Sequence, residues 1–131
     1  MNMRKTIFTV AMFLSLPLAL STAASAQNKK DPCDNPQTQI EMDECQGREY
    51  KKADAALNAV YKQLMTKLED EGERTVFKTA QQAWIKFRDA ECEAESFQNK
   101  GGTIYPMVYS GCLTALTQER TKQIKELIEN H

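Results

Sequence analysis

Four cysteines, at positions 33, 45, 92 and 112, follow a leader that reads as an export signal, and this combination constrains the fold more than any other feature. Arg4 and Lys5 give residues 1–26 a basic start, and an apolar run from Ile7 to Leu20 follows, interrupted by Pro17. Ala24-Ser25-Ala26 then supplies an A-x-A cleavage pattern before Gln27. The run is shorter than the ~20 residues that cross a bilayer comfortably. No cysteine stands at the cleavage point, and Cys33 follows Asp31-Pro32, so a lipid anchor is not expected. An even number of cysteines in an exported chain predicts two disulfides. A zinc site needs closely spaced C-x₂₋₄-C pairs. Here the separations are 12, 47 and 20, and the lone histidine is the last residue. Redox catalysis lacks its C-x-x-C motif. Neither a metal nor a cofactor is expected.

Removing the leader changes the balance of the chain. The 131 residues carry 17 basic and 18 acidic side chains. Without Arg4 and Lys5 these become 15 and 18, a net charge of −3 for residues 27–131. The apolar share falls from 41% to about 36%, a thin core for one small domain. Disulfides are the natural support. The absence of a basic excess argues against nucleic-acid binding.

The apolar spacing beyond the leader is helical throughout, and Gly, Pro and strand-type alternation are scarce. The first helix begins near Pro36 to Thr38, where Asn35-Pro36 offers one start and the Thr38-x-x-Glu41 capping box another. It carries Tyr50, Leu57, Tyr61, Leu64 and Leu68, and ends near Glu69 to Gly72. A second spans about Glu73 to Gln98, with Phe77, Ala80, Trp84, Phe87 and Ala94 at helical spacing. Asn99-Lys100-Gly101-Gly102 stops it, and a third runs from Pro106 to near the C-terminus. Short connections favour antiparallel neighbours. The expected fold is all-α, a small antiparallel three-helix assembly stapled by two disulfides.

Antiparallel pairing sets levels along the bundle. With the first turn near residue 71, Asp54 falls beside Arg88 and Asn58 beside Trp84. With the second near 102, Cys92 faces Cys112 and Trp84 faces Arg120. Four cysteines allow three connectivities; the levels favour 92–112 with 33–45, the others staying open.

Asp54 lies on or beside the apolar stripe of the first helix, where a charge needs a partner, and Arg88 is the expected one. Asn58, Tyr61, Gln81, Trp84 and Arg120 surround this pair and read as a polar and aromatic network between helices. Arg120 is placed to stack on Trp84. Asp89, Glu91, Glu93 and Glu95 crowd the C-terminal half of the second helix, against the preference of the macrodipole for cations there. The loop from Asn99 to Pro106 projects from this acidic end, with Ile104 and Tyr105 available as anchors.

The ordered set of these residues resembles the lysozyme inhibitor LprI-like family. The matching pieces are Cys33 with Thr38-Gln39-Ile40-Glu41-Met42 and Cys45, then Asp54-x-x-Leu57-Asn58-x-x-Tyr61. Ala80-Gln81-x-Ala83-Trp84-x-x-Phe87-Arg88-Asp89-Ala90-x-Cys92 follows, and then Gly101-Gly102-Thr103-Ile104-Tyr105-Pro106. Cys112 and Thr117-x-x-Arg120 complete it. The resemblance covers about Asp31 to Leu127. It implies a small helical envelope domain with paired cysteines and inhibition of lysozyme, in a soluble periplasmic form because the lipid-attachment cysteine is missing.

The expected activity is non-enzymatic: binding and inhibition of lysozyme or another basic periplasmic protein. Ile104 and Tyr105 would insert, and Glu91, Glu93 and Glu95 would steer. The other reading is an envelope structural or adaptor module that recognises a periplasmic protein or peptidoglycan. No Ser-His-Asp set, metal-ligand pattern or phosphate loop suggests catalysis.

Overall fold

A computed structural model describes residues 31–131. The expected leader and its cleavage site lie outside the described residues. Three α-helices account for most of the rest: α1 (Gln39–Lys67), α2 (Glu71–Ser96) and α3 (Tyr105–Asn130). One 3-10 turn, Pro32–Asp34, precedes α1, and another, Phe97–Asn99, extends α2. Among the described residues there is no strand. The chain is all-α, as its periodicity predicts.

The helix starts follow their capping chemistry. At α1 the Thr38 hydroxyl accepts from the Glu41 N–H, while Glu41 Oε2 accepts from the N–H groups of Thr38 and Gln37. That reciprocal box fixes the start, and Asn35-Pro36 stays outside the helix. Asp70 caps α2 by accepting from the Glu73 N–H at 2.8 Å. Arg74 donates to the Leu68 carbonyl at 2.6 Å and closes the three-residue connection. Gly101, at φ +79, makes the turn before α3, a conformation that an L side chain resists.

The tightest packing is between α1 and α3. They run parallel, since Gln39 meets Met107 at one end and Lys67 Nζ donates to the Ile128 carbonyl at the other. Leu57, Val60, Leu64, Leu68, Ile124 and Ile128 form one cluster, with Tyr61, Phe77 and Trp84 against it. Burying each large aliphatic side chain is worth about 1.5–3 kcal/mol. The second cluster surrounds Cys92, Cys112 and Leu113.

α2 lies across this pair with a face that its apolar spacing does not predict. Its buried residues are Gln81, Arg88, Cys92 and Ser96. Phe77 and Trp84 are half-buried, whereas Ala80, Phe87 and Ala94 face solvent. The apolar stripe read from the sequence therefore divides: Phe77 and Trp84 turn inward, and the alanines with Phe87 turn out.

Both disulfides have the favoured pairing. Cys92–Cys112 joins α2 to α3 in the core, and Cys33–Cys45 folds the N-terminal segment onto α1, each with Cα atoms 5.5 Å apart.

Candidate functional site

The acidic end of the molecule is built around the Cys92–Cys112 bond. α2 delivers Glu91, Glu93 and Glu95 within little more than one turn, and the bond holds that stretch against the first half of α3. Glu91 and Glu95 are exposed. Glu93 turns toward the loop, where it takes an ion pair from Lys100 and a 2.6 Å hydrogen bond from the Tyr105 hydroxyl. Lys100 and then Tyr105 hold the Glu93 carboxyl below its ordinary value, and Glu93 in turn raises both partners. Tyr105 also stacks on Tyr109, with ring centroids 5.8 Å apart.

The loop is thus pinned at three points: the disulfide, the Glu93 pair and the Gly101 turn. Ile104 stays exposed where the loop ends, as the N-cap of α3. Tyr105 is half-buried, and its hydroxyl is already occupied by Glu93.

The network residues meet at the middle of the bundle. Arg88 is 5% exposed, and its guanidinium lies between the rings of Tyr50 and Trp84, 5.5 and 5.4 Å from their centroids. Asp54 approaches at 3.6 Å, Asp89 at 2.8 Å, and Nη1 donates to the Thr117 hydroxyl at 3.3 Å. Asn58 donates to Asp54 at 2.9 Å. Arg120 also lies over Trp84, 5.7 Å from its centroid, and donates to Gln81 at 3.0 Å. Burial holds the Arg120 guanidinium below its ordinary value. Tyr61 packs on the aliphatic cluster. No buried side-chain N or O among the described residues lacks a partner, which fits a network that specifies packing.

Sequence reasoning missed the second carboxylate, Asp89, and the hydroxyl of Thr117 as partners of Arg88. Thr117 was accessible from the level estimate, because it falls beside Arg88 in the same count that pairs Cys92 with Cys112. Asp89 adjoins Arg88 in sequence, and adjacent helical residues do not normally face each other. Arg88 reaches it through the length of its side chain.

The chain is a small disulfide-stapled helical domain with a buried cation network and an acidic end tied to its loop. The chain belongs to the lysozyme inhibitor LprI family, whose profile matches residues 31–124. It is also 35% identical to an uncharacterized protein of Rhizobium meliloti (strain 1021), over 89% of this chain and 93% of that one. No solved structure matches it.

Proposed function

We propose that this protein is an exported, non-enzymatic inhibitor that binds lysozyme through its acidic end. The observation that carries the reading is the pinned loop: Ile104 is exposed where a segment fixed by Cys92–Cys112 and by the Glu93 contacts with Lys100 and Tyr105 enters α3. A preordered loop loses little conformational freedom on binding, so more of its contact energy appears as affinity. Ile104 inserts and Tyr105 orients it. Glu91 and Glu95 supply the field that draws in a basic enzyme, and Glu93 serves chiefly to hold the loop.

Export is part of the proposal. Cleavage after Ala26 releases residues 27–131 as one LprI-like domain into the periplasm, where two disulfides persist. Among the described residues no helix is long and apolar enough to cross a membrane.

The test is inhibition of c-, g- and i-type lysozymes across salt concentration. Inhibition that weakens as salt rises, and that Ile104→Asp abolishes, supports the reading. Unchanged activity of all three at large molar excess in low salt defeats it.

A further inference from the structure

The outer face of α2 carries a continuous apolar seam. Val76, Ala80, Ala83, Phe87, Ala90, Ala94 and Phe97 follow one another at separations of four and three without a break. All are exposed, with Val76 at 67%, Phe87 at 55% and Phe97 at 63%. Alternating steps of four and three are the spacing by which one helix packs along another. Neither α1 nor α3 covers it, since α2 meets them through Phe77, Gln81, Trp84, Arg88, Cys92 and Ser96.

We propose that the seam pairs with the same seam of a second copy, the two α2 helices lying antiparallel. The order of side chains is nearly the same read from either end: a large residue, two alanines, Phe87, two alanines, a large residue. Reversed about Phe87, every member meets a seam residue. Phe87 lies opposite Phe87, Ala83 opposite Ala90, Ala80 opposite Ala94 and Val76 opposite Phe97. Facing alanines let the helices approach closely, and the self-complementary patch is what a two-fold dimer needs.

Charge selects the direction. From Val76 to Phe87 the helix carries only Lys78 and Lys86, whereas from Asp89 to Phe97 it carries Asp89, Glu91, Glu93 and Glu95. A parallel pair would set acids beside acids. The antiparallel pair instead sets each acidic half along the half that carries Lys78 and Lys86. The like-charge approach of Lys86 to Lys86 lies at the solvent rim, where salt screens it.

Size is sufficient. The seam runs about 33 Å at 1.5 Å per residue. Two such faces with their flanking side chains bury on the order of 1,200 Å² in total, at the lower edge for specific stable complexes. The acidic-end loops come to opposite ends of the pair.

Analytical ultracentrifugation of the exported, disulfide-intact protein tests this. The expected mass is a dimer at high concentration, with Phe87→Glu raising the dissociation constant at least tenfold and leaving the circular dichroism unchanged. A short lysine cross-linker should join Lys78 of one copy to Lys100 of the other, which are about 33 Å apart along one chain. A monomer at every concentration overturns the proposal. So does a dimer indifferent to Phe87→Glu, or cross-links joining Lys78 to Lys78 and none to Lys100. Lysozyme inhibition is read separately, so neither result decides the other.

Discussion

Arg88 Nη1 stands 3.6 Å from Asp54 across the boundary between α1 and α2, and Asp89 holds the same guanidinium at 2.8 Å. The cation is buried, while both carboxylates are partly exposed. Either acid can therefore leave without stranding the charge. Asp54→Ala or Asp89→Ala alone should cost about 1 kcal/mol or less. Removing both should cost about 3–5 kcal/mol, because Arg88 is then buried without a counter-ion. Urea unfolding of the two single variants and the double variant checks this. Additive losses would contradict the shared role.

The two disulfides should differ in what they hold. Cys92–Cys112 closes a separation of 20 residues inside the core, and Cys33–Cys45 closes 12 at the edge. Chain entropy alone gives each about 3 kcal/mol. Cys92 and Cys112 are also packed in a core cluster, so replacing both with alanine loses burial as well. The melting midpoint should fall further for the 92–112 pair than for the 33–45 pair. Graded reductant should open Cys33–Cys45 first, read by mass after alkylation, since its cysteines are only half-buried.

These contrasts mark what the amino-acid order reveals. The levels that pair Asp54 with Arg88, Cys92 with Cys112 and Trp84 with Arg120 follow from turn positions alone, because helix rise is constant. The orientation of α2 does not follow. Phe87 and Ala94 fit an apolar stripe as well as Phe77 and Trp84 do, whereas the Cys92–Cys112 bond and the contacts of buried Arg88 with Asp54 and Thr117 turn the other face inward. At the acidic end, the prominence of Ile104 is legible from the loop. The tether between Tyr105 and Glu93 depends on a turn at Gly101 that spacing does not disclose.

Stability should fall on both sides of neutrality. Arg48 holds the Asp31 carboxyl far below its ordinary value, and backbone N–H groups of Gln37 and Thr38 lower Glu41 from 4.5. Glu93 is lowered by Lys100 and Tyr105. Depressed carboxyls stabilise fully above their unfolded values and lose that contribution as pH falls through the folded ones. Lys100 and Tyr105, raised from 10.5 and 10.0, stabilise below those values and lose it as pH rises through the folded ones. The melting midpoint should be level between about pH 5 and 9 and decline beyond each limit. Glu93→Gln should flatten the alkaline decline; an unchanged decline would contradict the loop tether.

Gly47 sits inside α1, and a Cβ built there meets nothing within 4 Å. Gly47→Ala should stabilise the protein by about 0.5–1 kcal/mol, since it removes backbone freedom from the unfolded chain at no steric cost. Gly101→Ala should do the opposite, because φ +79 strains a Cβ. Thermal unfolding of the two variants gives opposite signs.

The most direct test of the central proposal is the concentration of protein that halves lysozyme activity at low salt, compared between the wild type and Ile104→Asp. Ile104 is exposed and outside both core clusters, so the variant should keep its fold. The wild type should inhibit, and the variant should be at least tenfold weaker. Equal potency of the two, or no inhibition by the wild type, would contradict it.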